Sequence, residues 1–251
     1  MKLPRLLLVE DDASIRRFVG MALEDSAIEV VPAPSLKDAV RALRSGPFDV
    51  VLCDLMLPDG NGLDLLRALA GADSPSPGAR RVAFSAGVSA EQRQHLRAAG
   101  VHGVLAKPAS LAELLACVQE ALAAGPSVPE PAASPQAPMP ADRAAAVAQY
   151  FGGHQGLYDS YAAQCREQFA HDAAQGEVAA AALDLASMRR LAHSLKTVLL
   201  TLGHGPDAAL ALAIENAAAS GQADAAWAQW PHLQARLHVL GGQAPGRGAA
   251  P

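Results

Sequence analysis

The feature that most restricts how this 251-residue chain can fold is a regular alternation over its first half. Short apolar runs there alternate with segments that have helical spacing. The predicted strands are residues 5–9, 28–31, 49–53, 81–85 and 103–105, and the predicted helices are 13–24, 36–44, 63–69, 91–99 and 111–123. Strands and helices that alternate in this way predict an α/β domain, a doubly wound parallel sheet with helices on both faces.

The composition changes abruptly after residue 124. The next segment is dominated by Pro, Ala and Ser and has no periodicity, which predicts a partly extended linker. Beyond it the strand pattern is absent, and Ala/Leu-rich helical patterns cover residues 143–150, 157–174, 185–202, 207–219 and 223–240. Four such helices with short loops predict an antiparallel all-α bundle. The expected organisation is therefore an α/β domain at 1–124, a linker at 125–141, a helical bundle at 142–241 and a disordered tail at 242–251.

Composition argues against several classes of function. The net charge of −5 gives no electrostatic basis for binding nucleic acid. The three cysteines are scattered and odd in number, which favours reduced thiols over a disulfide framework or a metal cluster. The apolar stretch near residue 5 is too short for a signal peptide or a membrane span. We therefore expect a soluble, cytoplasmic protein with no membrane insertion.

Polar residues follow the predicted strands of the first half. The carboxyl ends of parallel strands meet at one edge of the sheet, where ligands bind. Converging carboxylates repel one another unless a cation lies between them, and hard oxygen ligands suit Mg²⁺. A carboxylate beside Mg²⁺ can attack phosphorus, while hydroxyl and ammonium groups hold the transferred phosphoryl oxygens. The residues at these strand ends are Glu10, Asp11, Asp12, Asp54, Ser85 and Lys107.

This pattern resembles the receiver domain of two-component response regulators over nearly all of residues 4–124. The resemblance implies a flavodoxin-like, five-stranded parallel sheet and identifies Asp54 as the phosphoacceptor. It also implies that Asp11 and Asp12 are the acidic pair that holds Mg²⁺, with Asp12 as the expected direct ligand and Asp11 working through water. The backbone carbonyl of Met56 would complete the protein's share of the metal shell.

Two further positions follow the receiver pattern, and one departs from it. Ser85 corresponds to the hydroxyl that reads phosphorylation, and Lys107 corresponds to the lysine followed by a cis proline. Val104 lies where many receivers carry an aromatic switch residue. That departure puts in question an aromatic movement coupled to Ser85, and with it dimerisation through that face.

The second half places a histidine and a lysine on one helical face. Residues three and four apart on a helix are neighbours, so His193, Lys196 and Thr197 lie together. The apolar residues of the same segment have core-facing helical spacing. A histidine beside a cation on an otherwise apolar helix favours an anion, and phosphate is the natural candidate.

This segment resembles the active helix of histidine phosphotransfer (HPt) domains, in which a His-x-Leu-Lys-Gly motif is followed by a further glycine at the helix end. The match consists of His193, Leu195, Lys196 and Gly203, and Glu215 lies downstream where the family often has an apolar–Glu pair. The resemblance implies that His193 is phosphorylated and that Lys196 favours the phosphorylated state. Thr197 departs from the usual glycine. Taken alone, a histidine in an apolar helix is usually an ordinary core or surface residue.

Together the two resemblances imply a phosphorelay intermediate that is a signalling protein and not an enzyme in the usual sense. Its expected partners are a sensor histidine kinase, simple or hybrid, and a downstream response regulator receiver domain. An alternative is a non-catalytic adaptor, in which only Asp54 is phosphorylated and the helical domain binds a partner. A third hypothesis is a phosphate sink that drains a kinase. The direction of transfer through His193, and transfer between Asp54 and His193 within one chain, stay open.

Overall fold

A five-stranded parallel sheet with strand order β2-β1-β3-β6-β7 forms the centre of the first half. The computed structural model describes residues 2–71, 73–86, 88–123, 140 and 142–242. The chain divides into two units, here called the sheet unit (Met1–Pro138) and the helical unit (Met139–Pro251). The strands of the main sheet are β1 (Arg5–Val9), β2 (Glu29–Ala33), β3 (Val50–Asp54), β6 (Arg80–Ser85) and β7 (Gly103–Ala106).

Helices and one small hairpin complete the sheet unit. The helices are α1 (Ala13–Ala22), α2 (Leu36–Leu43), α3 (Gly62–Ala68), α4 (Ala90–Ala98) and α5 (Leu111–Ala123). Two short strands, β4 (Met56–Leu57) and β5 (Gly60–Asn61), form an antiparallel hairpin directly after β3. Strands β1 and β3 are almost fully buried apolar runs, as expected for parallel strands covered by helices on both faces.

The helical unit contains α6 (Arg143–Phe151), α7 (Gln155–Ala181), α8 (Leu185–Leu202), α9 (Gly205–Ala219) and α10 (Ala223–Leu240). Helix α8 packs against α6, α7 and α9, and α10 packs against α7 and α9, which gives a packed helical bundle. The connections between α7, α8, α9 and α10 are only two or three residues long, which is typical of antiparallel neighbours. Among the described residues, no helix combines the length and the apolar character that a membrane span requires.

The predicted fold class, an α/β parallel sheet followed by a helical bundle, is confirmed. The predicted strand boundaries differ from the observed ones by at most two residues, whereas α7 extends seven residues past the predicted end at 174. The hairpin β4–β5 was not predicted. The predicted linker and tail lie outside the described residues except for residues 140 and 242, and the predicted domain boundaries stay predictions.

The backbone geometry explains why residue 203, part of the predicted HPt motif, is a glycine. It ends α8 with a left-handed backbone, at φ 84°. A Cβ atom at this position would lie 2.3 Å from the carbonyl oxygen of Asp142, at the start of α6. The glycine therefore both ends the helix and allows a close approach of two backbones.

We expect Gly203→Ala to destabilise the helical unit more than Gly221→Ala. Gly221 also has a positive φ (+70°), but a Cβ there would meet open space. Backbone strain alone should cost Gly221→Ala about 1–2 kcal/mol, whereas Gly203→Ala should lose a further ~2 kcal/mol because the Asp142 carbonyl must move. Urea unfolding followed by tryptophan fluorescence measures this, since both tryptophans lie in α10. Equal losses in the two variants would contradict the tight approach.

Candidate functional site

Three carboxylates converge at the carboxyl ends of β1 and β3. Glu10 and Asp11 follow β1, and Asp54 is the last residue of β3, which pairs with β1 in parallel. Each of these side chains offers an oxygen, and the three oxygens lie within 4.8 Å of one another. This is a donor set of hard oxygen atoms that suits a divalent metal ion. The sheet register therefore builds an acidic cluster, defined here as Glu10, Asp11 and Asp54.

A buried lysine enters the acidic cluster from the end of β7. The Lys107 ammonium donates to Asp54 Oδ2 at 2.6 Å and also to Glu10 Oε2. Burial lowers the pKa of Lys107, but the charges of Glu10 and Asp54 outweigh that effect and raise it. Lys107 therefore stays charged, and its nitrogen lies 4.8 Å from the centre of the Phe84 ring. The peptide bond that follows it, Lys107–Pro108, is cis, as the receiver resemblance implies.

One lysine does not neutralise three carboxylates. Burial, with the charge of Asp54, outweighs the opposing effect of Lys107 and raises the pKa of Glu10 to about 8. Burial, with the charge of Asp54, also raises the pKa of Asp11 to about 6. Burial is the main cause of both raised pKa values and the charge of Asp54 adds to it, so a bound cation would favour the ionised carboxylates.

Asp12 lies outside the acidic cluster, whereas Met56 lies beside it. Asp12 accepts a hydrogen bond from the Ile15 amide at 2.9 Å and so forms the N-cap of α1, outside the acidic cluster. The role of Asp12 as a metal ligand stays a prediction, and the carboxylate that joins Asp11 and Asp54 is Glu10. Met56 lies beside the cluster, because its amide donates to Asp54 Oδ1 at 2.9 Å.

The remaining predicted residues of the sheet unit lie at the ends of β6 and in β7. Ser85 is buried at the end of β6, and its carbonyl accepts a bond from the Lys107 amide at 3.1 Å. It is therefore tied directly to the residue that contacts Asp54. Val104 is half-buried in β7 and packs against the apolar core.

A second polar cluster joins α8 to α9 in the helical unit. His193 Nδ1 lies 2.6 Å from Glu215 Oε1, and the Lys196 ammonium donates to Glu215 Oε2 at 2.6 Å. Burial raises the pKa of Glu215, but the bonds from His193 and Lys196 outweigh it and lower the pKa to about 2. The Glu215 carboxylate thus binds both polar residues of the predicted HPt motif. We call His193, Lys196 and Glu215 the histidine cluster.

The bond to Glu215 assigns the tautomer of His193. Because Glu215 is a carboxylate at neutral pH, it accepts the bond, and the proton of a neutral imidazole then resides on Nδ1. Nitrogen Nε2 is left with its lone pair, and in the part of the chain that the structure describes it has no hydrogen-bond partner. His193 is 4% exposed, so this nucleophilic nitrogen is buried. The Thr197 hydroxyl donates to the His193 carbonyl at 3.4 Å, one turn earlier on α8.

Sequence comparison identifies the sheet unit. Residues 6–119 match the profile of the response regulator receiver domain. The chain is 36% identical over 119 residues to a probable transcriptional regulatory protein of Picosynechococcus, which is 45% of this chain and 46% of that protein. It is 35% identical over 114 residues to the swarming motility regulation protein RssB of Serratia marcescens, covering 45% and 51% respectively. The chain therefore spans about half the length of these curated relatives.

A similar solved structure is the chemotaxis response regulator CheY4 of Vibrio cholerae. The two are 28% identical, with a TM-score of 0.45, and the match covers 48% of this chain and 100% of that one. The profile match shows that the N-terminal part of the chain is a response regulator receiver domain, which is followed by a helical C-terminal region. Receiver domains act in phosphorylation-dependent signalling, with histidine kinases as partners.

We expect Glu215→Gln to lower the free energy of unfolding of the helical unit by about 2 kcal/mol at pH 7, because Lys196 and His193 lose a shared charged partner. The lowered pKa also sets a pH dependence. The carboxylate's contribution is complete above its ordinary pKa of 4.5 and is lost as the pH falls towards about 2. Urea unfolding followed by tryptophan fluorescence between pH 2 and pH 7 measures both effects.

The matched control for Glu215→Gln is Glu177→Gln, which changes an exposed glutamate of the same bundle. It should leave both the stability and its pH dependence close to those of the wild type. Equal effects of the two substitutions would contradict the assignment of the histidine cluster as a specific ion-pair network.

Proposed function

We propose that this chain is a phosphorelay protein. Asp54 accepts a phosphoryl group from the phosphohistidine of a sensor histidine kinase, and His193 relays phosphoryl groups to or from receiver aspartates. The observation that carries the relay is the histidine cluster, in which Glu215 holds His193 and Lys196 and leaves the lone pair of Nε2 free. The receiver identity of residues 6–119 supports the first step.

At the acidic cluster the reaction is a displacement at phosphorus. A carboxylate oxygen of Asp54 forms the new bond to phosphorus while the P–N bond of the donor phosphohistidine breaks, and the donor imidazole keeps the electron pair and takes up a proton. Lys107, already bonded to Asp54, holds the charge that spreads over the transferring oxygens. The Ser85 hydroxyl then binds the phosphoryl group on Asp54.

The donor set fits Mg²⁺, because its members are hard carboxylate oxygens with excess negative charge. Asp11 and Asp54 would hold the ion, with the Met56 carbonyl and Glu10 nearby. The sequence also predicts Asp12 as a ligand, and the proposal keeps that residue. Mg²⁺ supplies neutralisation of the phosphoryl oxygens when it is bound. The position of the Met56 amide on Asp54 keeps the neighbouring carbonyl close to the same site.

At His193 the Nε2 lone pair attacks the phosphorus of an aspartyl phosphate. The P–N bond forms as the P–O bond to the aspartate breaks, and the aspartate leaves as a carboxylate. The proton stays on Nδ1, and the Glu215 carboxylate that accepts its hydrogen bond stabilises the positive charge that develops on the ring. Lys196 adds a cation beside the phosphoryl group, which favours the phosphorylated histidine. The reverse sequence returns the group to an aspartate.

The proposed partners are the sensor kinase that phosphorylates Asp54 and a downstream receiver domain that exchanges phosphoryl groups with His193. Both reactions take place in the cytoplasm in this proposal. The acidic cluster and the net negative charge favour neither nucleic acid nor an anionic membrane surface as a partner.

A second candidate function is the non-catalytic adaptor, and the burial of His193 favours it. With only 4% of the residue exposed, the imidazole would serve to hold α8 against α9 through Glu215. In that case Asp54 alone is phosphorylated, and the helical unit transmits the change by binding a partner. The two functions differ in whether His193 ever carries a phosphoryl group.

We expect labelled acetyl phosphate with Mg²⁺ to leave two kinds of label on the wild-type chain. Acyl phosphates are lost in base, whereas phosphohistidine survives base and is lost in acid. The base-stable label should disappear both in Asp54→Ala, which cannot accept the group, and in His193→Gln, which cannot receive it. Measuring bound label after acid and base treatment of each variant distinguishes the relay from the adaptor.

Each other outcome of the labelling experiment has a defined meaning. Base-labile label alone in the wild type would support the adaptor, and the absence of any label would contradict phosphorylation of Asp54. Mixing Asp54→Ala with His193→Gln adds a further test. Base-stable label that appears on Asp54→Ala in the mixture would show transfer between chains, and label confined to the wild type would show transfer within one chain.

A further inference from the structure

The loop that follows Asp54 is fastened to the start of a neighbouring helix by one carboxylate. Asp59 Oδ1 accepts the amide of Leu36 at 3.0 Å, and Asp59 Oδ2 accepts the amide of Lys37 at 3.0 Å. These are the first two amides of α2, while the Ser35 hydroxyl caps the third at 3.0 Å. Asp59 therefore binds α2 with both oxygens from 22 or more residues away in sequence.

Asp59 belongs to the turn of the β4–β5 hairpin. The pairs Met56–Asn61 and Leu57–Gly60 leave Pro58 and Asp59 as the two turn residues. The hairpin also packs closely on α2, because a Cβ atom at Gly60 would lie 2.8 Å from Leu36 Cδ1. Its other end is held by Asn61, whose side chain accepts the Leu63 amide at 3.0 Å and caps α3.

The hairpin contacts the Asp54 side chain. The amide of Met56, in its first strand, donates to Asp54 Oδ1, and the carbonyl of Met56 is the predicted ligand of the metal ion. Just after the hairpin, a Cβ atom at Gly62 would lie 1.8 Å from the Asp54 carbonyl oxygen, so the backbone at Gly62 packs directly against the backbone of Asp54. A shift of the hairpin therefore moves groups that touch Asp54.

Satisfying the helix amides does not by itself explain this arrangement. Asp59 and Lys37 are at the surface, where water can accept the same amide bonds. What water cannot do is hold the hairpin against α2. Slight burial raises the pKa of Asp59, but the amides of Leu36 and Lys37 outweigh this and lower it, so the carboxylate is charged and bonds both amides at neutral pH.

We propose that Asp59 is a positioning residue for phosphorylation of Asp54: by fastening the β4–β5 hairpin to α2, it fixes the Met56 backbone at the place where Mg²⁺ and Asp54 need it. The inference rests on the proposed function of Asp54 but assigns a role to a residue that touches neither phosphoryl group nor metal. Positional support of this kind acts on metal affinity and orientation and leaves the chemical groups unchanged.

The test compares Asp59→Ala with Asp38→Ala in the full chain. Asp38 lies in the first turn of the same helix, bonded to Ser35 and Arg41, and among the described residues it has no bond to the hairpin. Calorimetric titration with Mg²⁺ alone gives the dissociation constant, and labelling at varied Mg²⁺ with saturating acetyl phosphate gives the half-saturating Mg²⁺ concentration and the maximal rate. Amide hydrogen exchange at Leu36 and Lys37 reports the local bonds.

Asp59→Ala should raise the Mg²⁺ dissociation constant about tenfold, with a smaller change in the maximal rate at saturating Mg²⁺. Asp38→Ala, although it also weakens the start of α2, should leave the dissociation constant within about twofold of the wild type. Asp59→Asn, which keeps one acceptor oxygen, should fall between the wild type and Asp59→Ala.

Two results would overturn the inference: an unchanged Mg²⁺ affinity in Asp59→Ala, or equal shifts in Asp59→Ala and Asp38→Ala. The second would mean that the helix start matters and the hairpin does not. Failure of the proposed function looks different, because the wild type itself would then bind no Mg²⁺ or take no label from acetyl phosphate.

Discussion

The buried contact of Lys107 with Asp54 and Glu10 is the interaction on which the receiver site depends. An ammonium and carboxylates removed from water are costly unless they satisfy one another, and removing one partner leaves an uncompensated charge. The parallel sheet makes the contact possible, because β1, β3 and β7 all end at the same edge. The same convergence places Asp11 beside Asp54 and Glu10 in a set of carboxylate oxygens that is consistent with a divalent metal site.

The two clusters use the same ingredients in opposite roles. In the proposed relay the carboxylate of Asp54 acts as the nucleophile and Lys107 holds it, whereas in the helical unit the carboxylate of Glu215 holds both the proposed nucleophile His193 and Lys196. The first cluster has three acidic side chains beside one lysine, so a bound cation would favour the approach of phosphate. The second has a single carboxylate, already paired with Lys196, so an incoming phosphoryl group meets no unpaired negative charge there. This difference suits the exchange of a phosphoryl group between an aspartate and a histidine.

The sequence predicted the sheet and the identity of the strand-end residues because period and order carry that information. It could not rank Glu10 above Asp12, because both follow β1 and only the structure shows that the Asp12 carboxylate accepts the Ile15 amide as the N-cap of α1. The hairpin β4–β5 is only two residues per strand, below what alternation can reveal. Helix α7 was predicted too short because its last turns contain Gly176 and end in three alanines, which carry little apolar periodicity. The bond between His193 and Glu215 joins residues 22 apart, and only the packing of α8 on α9 brings them together.

The buried Nε2 of His193 argues for a function beyond packing. A buried polar atom without a hydrogen-bond partner lowers the stability of the folded state by about 1–3 kcal/mol. An apolar side chain of similar volume would not carry this penalty. The bond to Glu215 does not remove this cost, because it engages the other ring nitrogen. The Nδ1 bond to Glu215 gives the imidazole a structural role, whereas the unpartnered Nε2 is what the proposed relay needs, since a nucleophile requires a free lone pair. Under the proposed relay, the burial of His193 requires that the packing around α8 open before a partner's phosphoryl group can reach Nε2, so the rate of transfer should scale with the population of the open state. A partner that stabilises the open state would accelerate the transfer, and the fold would thereby limit loss of the phosphoryl group to water.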